Sequence, residues 1–161
     1  MSQAAINRII FVLALLGVGI SVMLTIAHYE AINIPCGASG GCEEVANHYT
    51  AKGFGIPWLS FIPTAAFGVM AYIAVAALSF GRVISSSPRV ARAIGVLILA
   101  LTGSGVAISG YLTYLEAYVI HAWCRWCVAS AIVMTLLFIA ALAERCRCVS
   151  TYTKETVSEI R

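Results

Sequence analysis

The sequence predicts an all-α integral membrane protein: a bundle of four transmembrane helices with a short interfacial helix in its first external loop. Three observations carry this reading. Mean hydropathy is +0.93, with 61% hydrophobic and 11% charged residues, more apolar surface than a soluble domain of 161 residues can bury. The apolar residues are gathered into four runs, each about long enough to cross a bilayer. The connections between runs alternate in character, arginine-rich on one side and cysteine-bearing on the other.

The first helix is expected over about 9–28, after a short polar head ending in Arg8. A signal peptide competes with it, but the run is long for an h-region and no small-x-small cleavage site follows, so the helix is read as retained. The first external loop, 29–56, contains Cys36 and Cys42 around Gly-Ala-Ser-Gly-Gly. Glu43 and Glu44 suit a helix start, and Val45 and Tyr49 fall at i and i+4, which predicts the short interfacial helix. A second helix is expected over about 57–80, opened by Pro57, anchored by Trp58 and kinked at Pro63. A loop follows over 81–92 with Arg82, Arg89 and Arg92. The third helix, about 93–116, contains Gly95, Gly103, Gly105 and Gly110, which suit close helix contact in lipid. Tyr111, Tyr114 and Tyr118 form an aromatic edge near its end. The fourth helix is expected over about 124–143, with a polar tail over 144–161. No internal repeat or second domain is visible, so 1–161 reads as a single membrane domain.

Orientation follows from charge. Arg8, the Arg82/Arg89/Arg92 group and Arg145/Arg147 fall on one side of a four-span bundle, which the positive-inside rule places in the cytoplasm with both termini. Cys36/Cys42 and Cys124/Cys127 then face the external, periplasmic-type side of the cell (inner) membrane, where disulfides persist. No basic cluster suggests a nucleic-acid partner.

The chemistry centres on His-Ala-Trp-Cys-Arg-Trp-Cys, 121–127. Cys124 and Cys127 lie one turn apart if they open a helix, and a helix N-terminus favours a thiolate. By spacing alone a redox dithiol, a structural disulfide and half a zinc site all remain open. The four cysteines together would also serve a metal-binding membrane protein without redox turnover. Cys146 and Cys148 fall on the cytoplasmic side and read as bystanders. His28, His48, His121 and Glu116 lie near the external face; each reads first as an interfacial polar residue and second as a proton donor.

Two external cysteines in the first loop, Cys-x-x-Cys leading into the fourth helix, and Phe54-Gly55-Ile56-Pro57 before the second resemble the vitamin K epoxide reductase family. The likeness is greatest to its bacterial and archaeal members, without the fused thioredoxin-like domain that many of them carry. The resemblance implies a four-helix bundle around a quinone of ubiquinone or menaquinone type. It implies a Cys36/Cys42 shuttle that takes electrons from a separate thioredoxin-fold, DsbA-like partner and passes them to Cys124/Cys127. By position it makes Cys127 the cysteine beside the quinone and Cys124 the one attacked by the loop, with Cys36 bonding to Cys124 and Cys42 meeting the partner. It places Thr64 where animal members carry a quinone-binding Asn, and Phe67, Leu112 and Trp126 on the pocket wall; no metal is implied. His48 and Ala131 replace a Ser and a Tyr of other members, which favours plain quinone reduction over reduction of vitamin K epoxide.

Overall fold

The computed structural model describes residues 3–30, 41–53, 56–59, 61–85 and 87–160. Five helices follow in order: α1 (Gln3–Glu30), α2 (Gly41–Asn47), α3 (Thr64–Ile84), α4 (Pro88–Leu115) and α5 (Arg125–Ile160). A π-turn, Glu116–Ile120, continues α4. Four segments are long and apolar enough to cross a membrane: Gln3–Glu30, Thr64–Ile84, Pro88–Ile120 and Arg125–Cys146. They run alternately up and down, so α2 and the 121–124 segment meet at one end. The α3–α4 turn lies at the other.

The packing is that of a bundle held in lipid. Ile10, Tyr72, Val75, Ile98 and Leu137 are buried where the four long helices meet. The outward faces keep large apolar side chains such as Leu16, Ile73, Leu97 and Ile139 exposed, as a bilayer requires. Gly17 lets α1 approach α3 closely, because a Cβ there would overlap the Tyr72 ring. Polar pairs add specificity. Asn7 Nδ2 donates to the Ser79 carbonyl at 3.0 Å, and Ser79 Oγ donates back to the Asn7 carbonyl at 3.2 Å, joining α1 to α3.

Several boundaries differ from the sequence expectation. The second span starts at Thr64, not at 57, because Pro63 has extended geometry (φ −63°, ψ 142°) and caps the helix instead of kinking its interior. Pro57–Leu59 is a separate 3-10 turn. Helix α1 begins at Gln3, and α4 begins at Pro88 with proline in its first turn, ahead of the expected 9 and 93. The expected polar tail continues α5 as helix to Ile160. Arg82, expected in the loop, belongs to the last turn of α3 and forms a buried ion pair with Glu144 of α5. Two opposite charges near a membrane-facing helix end are tolerable because they neutralise each other.

Candidate active site

The site is built where α4 turns back into α5. A regular helix at 116–120 would carry the chain straight on; the π-turn widens its last turn, and His121 then takes left-handed geometry (φ 55°, ψ 27°). The Ala122 N–H returns to the Glu116 carbonyl at 3.2 Å. This reversal folds the 121–124 segment over the end of α4 and delivers the Cys124 N–H to Glu116 Oε2 at 3.1 Å. Cys124 and Glu116 are both buried, at 2% and 3% exposure.

Cys124 precedes the first residue of α5, in the N-cap position. Its sulfur accepts the Cys127 backbone N–H at 3.4 Å, as a cap accepts an orphan helix donor. The Cys124 thiol is held below the ordinary thiol range. The Cys127 thiol hydrogen-bonds to it and the Cys127 and Trp126 N–H groups add to the effect, while burial and the nearby Glu116 carboxyl oppose it. Cys124, Cys127 and Cys146 are free thiols, whereas Cys42 is disulfide-bonded.

Helix α2 covers this corner. Cys42, on its first turn and 6% exposed, forms one buried cluster with Cys124, against which Leu24, Val45, Trp126 and Cys127 pack. The approach depends on Gly41. A Cβ there would stand 2.7 Å from the Trp123 carbonyl oxygen and 2.9 Å from its amide nitrogen, so any side chain would push α2 off the 121–124 segment. Cys42 thus packs directly on Cys124 within this cluster. Cys36 lies outside the described residues.

Beneath the cysteines a cavity of about 650 Å3 opens among the four spans. Cys42, Cys124, Cys127 and Glu116 line one end, and Phe67, Ile108, Leu112 and Met134 line its walls. Thr64 also lines it, but its hydroxyl donates to the Thr50 carbonyl at 2.8 Å, which leaves it only acceptor capacity toward a ligand. Trp126 is not among the lining residues; it packs on the Cys42–Cys124 cluster, because the side chain next to Cys127 points back over the helix start. Three of the four predicted pocket residues therefore reach the cavity.

Residues not anticipated there also line it. Tyr72 reaches across from α3, and its hydroxyl donates to the Ser130 carbonyl on α5 at 2.8 Å. His28 and Lys52 lie on the same wall. Tyr72 lies inside an apolar run, and nothing in the spacing separates it from lipid-facing neighbours.

Among the described residues, no three His, Cys, Asp or Glu side chains gather in a metal-binding arrangement. The cavity is mostly apolar, with polar groups and two thiols gathered at one end.

A comparison with curated proteins returned no match. The model of the Vitamin K epoxide reductase family matches residues 8–142, most of the chain and every residue that lines this cavity. With four spans, a cysteine pair at a helix start and an apolar cavity below it, this chain belongs to the vitamin K epoxide reductase family, whose members are membrane thiol–disulfide oxidoreductases linked to quinone.

Proposed function

We propose that the protein reoxidises a separate thioredoxin-fold, DsbA-like protein and delivers the electrons to a ubiquinone- or menaquinone-type quinone. The observation that carries this is the gathering of Cys42, Cys124 and Cys127 in one cluster at the end of a largely apolar cavity.

The residues act in sequence. The partner's dithiol reduces a Cys36–Cys42 disulfide in the first loop. The Cys42 thiolate attacks Cys124 Sγ of a Cys124–Cys127 disulfide, which breaks that bond and frees the Cys127 thiolate. Cys36 then attacks Cys42, which re-forms the loop disulfide and releases Cys124 as a thiolate stabilised by the α5 N–H groups. Oxidised Cys42 beside free Cys124 and Cys127 is the arrangement that follows this exchange. Helix α2 keeps water and other thiols away from Cys124 meanwhile. A quinone in the cavity supplies a two-electron, two-proton acceptor. Phe67 and Leu112 give it apolar walls, and Tyr72 and Thr64 contribute polar atoms to the same cavity. Trp126 steadies the cysteine cluster from outside the cavity.

We place both termini and the α3–α4 turn in the cytoplasm of a cell membrane, on the strength of Arg8, Arg82, Arg89 and Arg92 at one end. A membrane-impermeant thiol reagent applied to reduced intact cells should spare the exposed Cys146. Its modification there would invert the orientation.

The test of function is turnover. Purified protein given a reduced thioredoxin-fold donor and a soluble quinone should bleach the quinone absorbance in step with donor oxidation. Donor oxidation that proceeds equally without quinone would overturn the reading.

A further inference from the structure

We propose that Glu116 is a catalytic proton carrier, taking the proton from the Cys127 thiol and releasing it into the quinone cavity as the Cys124–Cys127 disulfide re-forms. The inference rests on the thiol–quinone reading and deepens it, since quinone reduction consumes protons as well as electrons.

The geometry points to Glu116 in three ways. A carboxyl at 3% exposure in the wall of an apolar cavity is costly, and α4 could present any apolar side chain there. The π-turn and the left-handed His121 bring one oxygen, Oε2, under the Cys124 N–H. The Cys127 thiol lies beside both the carboxyl and Cys124 Sγ, and its own backbone N–H is bound to that sulfur at 3.4 Å. A thiol and a carboxylate able to take its proton thus stand together at one end of the cavity.

A purely structural acceptor for the Cys124 N–H needs no charge, since a backbone carbonyl or an amide would serve. A carboxylate close to a thiol also works against its ionisation, as it does for Cys124. Its use is therefore not to charge the sulfur but to receive its proton. Among the described residues, the titratable groups that line the cavity with Glu116 are His28 on α1, Cys42 on α2, Lys52 in the following loop, Tyr72 on α3, and Cys124 and Cys127 at α5.

The balance closes without another reagent. Cys124 and Cys127 together lose two electrons and two protons and form one S–S bond; the quinone gains both electrons and both protons. Glu116 carries the proton that began on Cys127 and returns to its carboxylate form, and the second proton, released to water when Cys124 became a thiolate, reaches the quinone from water.

Glu116→Gln is the informative variant, because an amide oxygen still accepts the Cys124 N–H but cannot take a proton. With a small dithiol and quinone, its turnover should fall on the order of a hundredfold. In the reduced protein without quinone, the pH midpoint for alkylation of Cys124 should move down, since the opposing negative charge is gone. Loss of turnover with an unmoved midpoint would make Glu116 a structural acceptor only and overturn the proposal. So would turnover within about twofold of the native protein. Glu116→Asp keeps a carboxylate on a shorter arm and should retain more turnover than Glu116→Gln; the reverse order would also overturn it. Native turnover is the internal control. Its absence counts against the thiol–quinone reading, whereas normal native turnover beside an equally active Glu116→Gln counts against Glu116 alone.

Discussion

Cys127→Ala is expected to abolish quinone reduction, to below about one thousandth of the native rate, whichever electron donor is supplied. Cys124→Ala should do the same. The two sulfurs form one unit: neither can give up two electrons as a disulfide without the other, and both line the cavity. Thiol attack on a disulfide also requires a leaving sulfur, so neither variant can complete the exchange with the loop. The fold should survive both changes. Cys127 is only partly buried, and Cys124 anchors its segment through its backbone N–H to Glu116, which alanine retains. Native-like thermal stability together with lost turnover is therefore the expected pair of observations. A variant that kept more than about one per cent of dithiol-driven turnover would show that a single sulfur suffices, and the two-thiol site would fail.

Cys42→Ala is expected to separate two kinds of donor. With a reduced thioredoxin-fold protein, turnover should fall by about a hundredfold or more, because Cys124 is 2% exposed beneath α2 and a protein thiol cannot reach it. With a small dithiol the rate should stay within about fivefold of native, since such a molecule can enter the cavity that Cys124 and Cys127 line. Cys36→Ala should share this split if it is the other half of the shuttle. Equal loss with both donors would mean that Cys42 belongs to the same catalytic unit as Cys124 and Cys127, and the relay would collapse into one site.

The four spans were legible because lipid imposes a length and a composition on each, and a run such as 9–28 can satisfy them in only one way. Where a helix begins depends on local geometry that hydropathy does not register. Pro57 and Pro63 both suit a helix start; Pro63 prevails because the residue before a proline resists helical geometry. The pairing of Arg82 with Glu144 was hidden for a related reason, since each lies in a stretch whose polarity reads as loop. At the site, Cys124 and Cys127 were visible from their spacing, and Phe67 and Leu112 from the family resemblance. The neighbour of Cys124 was not. Placing Cys42 there requires knowing that Gly41 lets α2 rest on the Trp123 backbone, a contact between segments far apart in the chain. Glu116 could be noticed as an acidic residue near a helix end, yet its contact with Cys124 depends on a π-turn and a left-handed histidine that no periodicity announces.

The central claim is that Cys42 is the loop sulfur that exchanges with Cys124 while Cys127 serves the cavity. Cys127→Ala tests it through a bond as well as a rate. With Cys127 gone, Cys124 can attack the oxidised loop and has no neighbour to displace the loop sulfur; only the freed Cys36 can reverse the bond, so alkylation of that thiol should preserve the mixed disulfide. Peptide mapping of the oxidised variant under non-reducing conditions should find Cys124 joined to Cys42. A link from Cys124 to Cys36, or a loop cysteine trapped on Cys127 in Cys124→Ala while Cys127→Ala traps nothing, would contradict it.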